Sequence, residues 1–368
     1  MPAAGCAVLA AMLLLPLPPP LHAAKRCPGR CLCYESSDLV DCRSRGLVRV
    51  PPRVPRGTWL LDLNGNQLTE VQRGSFAGLW ALKVLLVSNN SIQTLQPQFH
   101  AIATLYISAP QCLSSLRFLE RLDLSSNRLR GLPRDFSQSL SSLQELQLAR
   151  NLLRDLDSAS LAGLGHLRKL DLSHNRILAV DVAAFGGLFR LSLLDLSGNG
   201  LTELGDGVLS RQQRLEVLLL GRNNISRIGT RALAPLRSLR LFGLRGNQLE
   251  HIRFKTFLAL QTTSTHLQLS LNPWTCDCEL QRVFSKIRDM RRLHVDDYQE
   301  LRCGAPARQA GSLLAALDSQ LCIAETASVL VITITVILAV VGTLMKAERD
   351  RSKNKQTAGD ADSERPEQ

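Results

Sequence analysis

The chain has 368 residues and a formal net charge of +12, from 44 lysines and arginines against 32 aspartates and glutamates. Only 4% of the residues are aromatic, which excludes a core built mainly from large rings. Ten cysteines are many for a cytosolic protein and ordinary for a secreted one.

Residues 1–24 predict a secretory signal peptide. They carry no charged side chain, and an apolar stretch runs from Ala7 to Leu15 before a run of prolines. We expect cleavage near Ala23 or Ala24, which would remove Cys6 and place the rest of the chain in an oxidising compartment.

Residues 27–42 read CPGRCLCYESSDLVDC and form the first of two cysteine clusters, within a predicted N-terminal cap over residues 25–57. The second cluster is Cys276, Cys278, Cys303 and Cys322, in a predicted C-terminal cap over residues 273–322. Four cysteines permit three pairings, so spacing leaves the disulfides open. Zinc binding is disfavoured because no paired histidines accompany the cysteines and secretion favours disulfides.

Between the caps, residues 58–272 repeat one pattern with a period of 24 residues, giving about eight to nine copies. In a short strand the leucines of the pattern face inward and the intervening residues face outward. One repeat cannot bury its apolar face alone, so neighbours must stack. We expect the amide of a recurring asparagine to pair the backbone groups that the turn leaves open. These asparagines are Asn66, Asn90, Asn127, Asn151, Asn175, Asn199, Asn223, Asn247 and Asn272.

One interval departs from this period. From Asn90 to Asn127 the chain runs 37 residues, and we interpret the excess as an insertion near residues 98–113 rather than a degenerate short repeat. The insertion contains Cys112, which is either an inert buried thiol or a bridge to another chain.

The pattern L-x-x-L-x-L-x-x-N-x-L, flanked by four cysteines at each end, resembles the extracellular leucine-rich repeat proteins with cysteine-rich caps. The resemblance covers residues 27–322 and implies an α/β leucine-rich repeat solenoid with a curved parallel β-sheet on its concave face. It also implies disulfide-stapled caps, with the pairs Cys27–Cys33, Cys31–Cys42, Cys276–Cys303 and Cys278–Cys322.

The outward-facing strand positions form a candidate binding face, which is charged in the middle of the array and apolar later. Apolar residues on an exposed strand face can mark an interface, and packing by a neighbouring loop is the alternative. The candidate residues are Arg121, Asp123, Glu145, Lys169, Leu193, Val217, Leu219 and Leu241.

Two further surface features stand out. The sequons at Asn89 and Asn224 predict N-glycosylation. The C-terminal cap gathers basic residues, whose spacing suits either contact with a sulfated glycan or anionic lipid or a solvated helix. They are Arg282, Lys286, Arg288, Arg291 and Arg292.

Residues 326–345 contain no charged side chain, and as a helix they would span about 30 Å, the thickness of a bilayer core. Five lysines and arginines follow within ten residues, which assigns that side to the cytosol. We therefore predict a transmembrane helix over 324–345, a cytoplasmic tail over 346–368, and a single-pass type I protein of the plasma membrane.

No nucleophile motif, metal cluster or phosphate-binding glycine loop is evident, so we predict neither an enzyme, nor a cofactor, nor a nucleic-acid partner. Our leading interpretation is a cell-surface protein that recognises a protein partner through the solenoid, in adhesion or as a co-receptor. The alternative is an auxiliary subunit of a membrane protein, because the architecture also resembles the small leucine-rich repeat subunits that modulate potassium channels. Only three residues separate Cys322 from residue 326, which favours a partner in the same membrane.

Overall fold

A computed structural model describes residues 27–72, 74–95, 116–138, 140–317 and 319–361. The signal peptide, Cys112 and the insertion predicted near 98–113 lie outside these residues. The described residues up to Asp195 form one compact unit, and those from Leu196 onward form a second.

The first unit consists of short strands joined by turns. Its elements are β1 Leu32–Tyr34, β2 Leu39–Asp41, β3 Leu60–Asp62, β4 Glu70–Val71, β5 Val84–Leu86, β6 Thr94–Leu95, β7 Arg121–Asp123, β8 Glu145–Gln147, α1 Ser158–Leu161, β9 Lys169–Asp171 and β10 Leu193–Asp195.

The main sheet of the first unit has the order β1-β2-β3-β5-β7-β8-β9-β10. Strands β1 and β2 are antiparallel, and every later neighbour is parallel. The inward leucine of each strand aligns with that of the next, as Leu85 does with Leu122. Strand β5 pairs directly with β7.

The second unit repeats this arrangement and adds longer helices. Its elements are β11 Glu203–Leu204, β12 Val217–Leu219, β13 Arg227–Ile228, β14 Leu241–Gly243, α2 Phe254–Leu258, β15 Thr265–Gln268, β16 Trp274–Thr275, α3 Cys278–Asp289, β17 Leu293–Val295, β18 Cys303–Ala305 and α4 Ser319–Ala361. Strands β12, β14, β15 and β17 are consecutive parallel neighbours.

The asparagines form hydrogen-bonded columns in both units. Asn127 is representative: its Nδ2 donates to the carbonyls of Val87 and Leu124, both at 3.0 Å, and its Oδ1 accepts from the amide of Ile92 at 3.0 Å. The residue immediately before each of these asparagines has a positive φ, in the left-handed region; Ser126, for example, has a φ of +52°. The side-chain amide thus supplies partners that the turn removes, as the sequence predicts.

Each cap is closed by two disulfides. Cys27–Cys33 and Cys31–Cys42 join the N-terminal cap, and Cys276–Cys303 and Cys278–Cys322 join the C-terminal cap, the pairs that the family resemblance implies. In the C-terminal cap, Trp274 is fully buried and meets the ring of Phe284 edge-on, with 5.7 Å between ring centroids. Trp274 therefore seals the last repeat, with α3 packed over it.

Within the described residues, α4 contains the one segment long and apolar enough to cross a membrane, Ala327–Arg349. Five residues before this segment, Cys322 forms its disulfide with Cys278, the first residue of α3.

Candidate protein-recognition surfaces

The outward face of β7, β8 and β9 carries a chain of ion pairs. Glu145 lies between two bases: its Oε1 is 2.7 Å from Lys169 Nζ, and its Oε2 is 3.7 Å from Arg121 Nε. These three predicted face residues are thus adjacent and partly neutralise one another. Exposed pairs of this kind contribute about 0.2–1 kcal/mol each, so they set the charge pattern more than the stability.

The aspartates of this face have a structural role as well. Asp123 Oδ1 accepts hydrogen bonds from the amide and hydroxyl of Ser125, at 2.9 and 2.6 Å, and Asp171 Oδ1 accepts from the amide of Ser173 at 2.9 Å. Each carboxylate thereby satisfies an amide of the turn that leaves the strand. The recurrence of aspartate at this position is therefore explained by the turn, and no bound ligand is needed to account for it.

The pKa values of two aspartates at the N-terminal end of the sheet, Asp41 and Asp62, are shifted in opposite directions. A side-chain hydrogen bond from Arg43 holds the pKa of Asp41 below its ordinary value. Burial raises the pKa of Asp62, although Arg43 Nε lies 3.4 Å from its Oδ2, because desolvation penalises the charged carboxylate.

In the second unit, the outward face of β12 and β14 is apolar. Val217, Leu219 and Leu241 are all half-buried, and Val217 is aligned with Leu241 in the strand register. Beyond them, His266 Nδ1 lies 2.7 Å from Asp296 Oδ1. Leu193, the remaining predicted face residue, is half-buried in the first unit.

A second surface, which we name the aromatic pocket, lies at the N-terminal ends of the strands in the first unit. It is an open cavity of about 590 Å³. Its aromatic side chains are Trp59, Trp80 and Phe118, which are 38%, 61% and 48% exposed. This combination was not predicted, because the three rings come from different repeats and none of them occupies a leucine or asparagine position of the pattern.

Strand register brings the aromatic pocket together. Trp59 precedes β3, Lys83 precedes β5 and Glu120 precedes β7. The amide of Lys83 donates to the carbonyl of Trp59, and the amide of Glu120 donates to that of Lys83, both at 2.8 Å. Trp59, Lys83 and Glu120 are therefore aligned on adjacent strands, which lie about 4.8 Å apart in the hydrogen-bonding direction. Trp80 and Phe118 lie three residues before Lys83 and two residues before Glu120.

Polar groups hold the walls of the pocket. The indole Nε1 of Trp59 donates to the carbonyl of Ser37. Lys83 Nζ lies 3.0 Å from Glu120 Oε1, and the Arg117 guanidinium lies 5.1 Å from the centroid of the Phe118 ring. The aromatic pocket thus has an apolar surface and a rim whose charges are paired.

Much of the chain is similar in sequence to known proteins. Residues 60–105, 117–177 and 189–249 match the protein family described as leucine rich repeat. These three stretches are leucine-rich repeats, and the chain has the leucine-rich repeat fold.

Two curated relatives show how far the sequence similarity of this chain extends. Human reticulon-4 receptor-like 2 is 36% identical over 140 residues, which are 38% of this chain and 28% of that protein. Human leucine-rich repeat-containing protein 3B is 32% identical over 123 residues, 33% of this chain and 42% of that protein. The chain thus spans less than half the length of these curated relatives.

Solved structures share the fold over most of the chain. The crystal structure of human 5T4, also called trophoblast glycoprotein, has a TM-score of 0.60 at 25% identity and covers 81% of this chain and 98% of that chain. The leucine-rich repeats of FLRT2, solved in a complex with Latrophilin 3 and Unc5D, have a TM-score of 0.54 at 24% identity. The match covers 80% of this chain and 98% of that chain.

The two predicted glycosylation sites and the basic residues of α3 are the remaining predicted surface features. Asn89 and Asn224 are both exposed, and their glycosylation remains a prediction. The basic helix α3 does not present a uniformly basic face, because Glu279 and Asp289 are exposed on the same side as Arg282 and Lys286.

Two basic side chains of α3 also have aromatic partners. Lys286 Nζ lies 5.5 Å from the centroid of the Phe254 ring, and the Arg288 guanidinium lies 4.8 Å from that of Tyr298. The basic residues of the C-terminal cap therefore do not form a purely positive cluster, so the structure gives no support to the glycan or lipid contact considered there.

Proposed function

We propose that this chain is a non-enzymatic cell-surface protein that recognises a protein partner through the aromatic pocket, in adhesion or as a co-receptor. The observation that carries this proposal is the exposure of Trp59, Trp80 and Phe118 in one cavity. Exposed apolar area costs about 25 cal/mol per Å², and tryptophan is among the residues that dominate binding energy at protein interfaces.

Two related observations support a protein as the ligand. FLRT2 and RP105, whose structures share this fold, were each solved in complex with other proteins. The second apolar surface, formed by Val217, Leu219 and Leu241, offers a further contact that a small ligand would not need.

The test uses the full chain on the surface of cells, with surface cross-linking and identification of captured proteins. We expect the triple variant Trp59→Ala, Trp80→Ala and Phe118→Ala to lose a partner that the unmodified chain captures. The matched control is Leu178→Ala, Val182→Ala and Phe189→Ala, which removes equally exposed apolar side chains of the same unit. Equal capture by both triple variants would contradict the proposal.

A second candidate function is regulation of a protein in the same membrane. It rests on the disulfide Cys278–Cys322, which fixes the C-terminal cap five residues before the apolar segment Ala327–Arg349. At 1.5 Å per residue this leaves only about 8 Å of helix between them. If the segment spans the membrane with the cap outside, the cap lies at the bilayer surface.

Cell mixing separates the two candidates. A partner in an opposing membrane makes cells that express the chain cluster with cells that do not. A partner in the same membrane, such as a channel, co-purifies with the chain from a single cell type and gives no clustering. Loss of co-purification in the aromatic-pocket variant would show that the same cavity serves the second function.

A further inference from the structure

The N-terminal cap contains an open cavity of about 710 Å³, which we name the arginine pocket. It is lined by residues 27–30, at the start of the cap, and by residues 46–53, which lead out of it. The arginine pocket is separate in sequence from the aromatic pocket, whose lining begins at Trp59.

The charged residues that line the arginine pocket are all positive. Arg30, Arg49 and Arg53 contribute guanidinium groups, and no aspartate or glutamate is among the lining residues. The chain around it extends this charge, because residues 43–56 read RSRGLVRVPPRVPR, with five arginines and no carboxylate.

These three guanidinium groups lack the partner that a neighbouring arginine has. The Arg43 Nη2 lies 2.8 Å from Asp41 Oδ2 and its Nε lies 3.4 Å from Asp62 Oδ2. Within the described part of the chain, no carboxylate lies within ion-pair distance of Arg30, Arg49 or Arg53. Unpaired like charges around one concavity raise the local positive potential and attract an anion.

The backbone of the arginine pocket is restrained before any ligand arrives. Cys27, which lines it, is joined to Cys33, and Pro51 and Pro52 fix two backbone angles of the opposite wall. The Arg30 Nη1 donates to the carbonyl of Arg45 at 3.4 Å, which draws its side chain towards this wall. A restrained site loses less conformational entropy when it binds.

We propose that the arginine pocket binds a sulfated polysaccharide. Guanidinium groups match sulfate oxygens with paired hydrogen bonds, and lysine lacks this planar geometry. Arg45 and Arg56, which flank the lining residues in sequence, are also exposed, so this part of the chain offers several cations rather than one. Several clustered cations fit a linear polymer with regularly repeated anions better than they fit one acidic side chain. The disulfides require an oxidising compartment, where sulfated polysaccharides are the abundant linear polyanions.

The experiment measures binding of the full chain, in detergent, to immobilised heparin over a range of salt concentrations. We expect the triple variant Arg30→Gln, Arg49→Gln and Arg53→Gln to bind at least about tenfold more weakly. We also expect the slope of log Kd against log salt to fall by about two to three units, because up to three charge contacts are lost.

The matched control is Arg128→Gln, Arg154→Gln and Arg176→Gln, which removes the same charge from exposed arginines of the same unit. If the control weakens heparin binding as much as the pocket variant, net charge alone explains the binding and the proposal fails. Equal binding of the unmodified chain to desulfated heparin or to polyglutamate also overturns it, the latter in favour of an acidic peptide.

A single variant guards against misfolding of the triple variant. Arg49→Lys keeps the charge and removes the planar guanidinium, and we expect it to weaken heparin binding about two- to fivefold, a smaller loss than that of the full set. Heparin affinity unchanged in both Arg49→Lys and Arg49→Gln would contradict the proposal. None of these variants touches the aromatic pocket, so failure here leaves the proposed protein recognition unaffected, and the converse holds.

Discussion

The N-terminal and C-terminal caps are each closed by two disulfides, but they cover the repeats in different ways. The N-terminal cap adds the hairpin β1–β2 to the sheet, and its arginines remain exposed around an open cavity. The C-terminal cap adds a single strand, β17, to the sheet and also buries Trp274 and the apolar side of α3. A hairpin satisfies the edge of a sheet with backbone hydrogen bonds, so its side chains remain available to a ligand. A helix covers the core with side chains, which are then committed to packing.

The largest expected difference between the caps concerns their tryptophans. Trp274→Ala should lower the free energy of unfolding by about 3–5 kcal/mol, because a fully buried ring leaves a cavity. Trp59→Ala, next to the N-terminal cap and 38% exposed, should cost only about 1 kcal/mol. Urea unfolding combined with hydrogen exchange measures both. Similar losses would show that the N-terminal cap depends on side-chain packing as much as the C-terminal cap does.

The disulfides give a smaller difference. Cys276 and Cys303 are 27 residues apart, whereas Cys27 and Cys33 are 6 apart. The chain-entropy relation then predicts losses of about 3.6 and about 2.2 kcal/mol when each pair is replaced by alanines. Thermal unfolding of the two double variants should therefore differ by about 1.3 kcal/mol. A greater loss from the shorter loop would mean that strain or packing, rather than loop entropy, sets the effect.

The smallest effect is a pH dependence at the N-terminal cap. The lowered pKa of Asp41 contributes stability above the ordinary value of an aspartate, and this stability is lost as pH falls through the folded pKa. The raised pKa of Asp62 has the opposite sign, because its ionised form is unfavourable in the folded state. Asp62→Asn should raise the Tm near neutral pH and have little effect in acid.

Asp41→Asn is the paired control and should lower the Tm near neutral pH, with an effect that fades in acid. Thermal scans at several pH values measure both variants. If Asp62→Asn lowers the Tm near neutral pH, then its ion pair with Arg43 outweighs the burial of its carboxylate, and the assignment of cause is wrong.

The repeating parts of the fold follow from particular residues of the sequence. Asn127 makes the predicted backbone contacts, and the leucines that the pattern places inward, such as Leu146 and Leu170, are buried. These features depend on local periodicity, which a single repeat already contains. The spacing of the basic residues in α3 left a glycan or lipid contact and a solvated helix open, and the structure adds that Glu279 and Asp289 share the exposed face with Arg282 and Lys286.

The sequence by itself determined the repeat, its inward-facing residues and the position of the apolar segment, because each depends on a period or a run of neighbouring residues. Tertiary structure alone decided the two pockets. Trp59, Trp80 and Phe118 meet because strand pairing aligns repeats that are 37 residues apart at one point. Arg30, Arg49 and Arg53 line one cavity because the disulfide-closed cap brings residues 27–30 next to residues 46–53. Both pockets depend on the register of paired strands and on the disulfides of the cap. These bring together residues that are far apart in the sequence, and a local repeat pattern does not predict them.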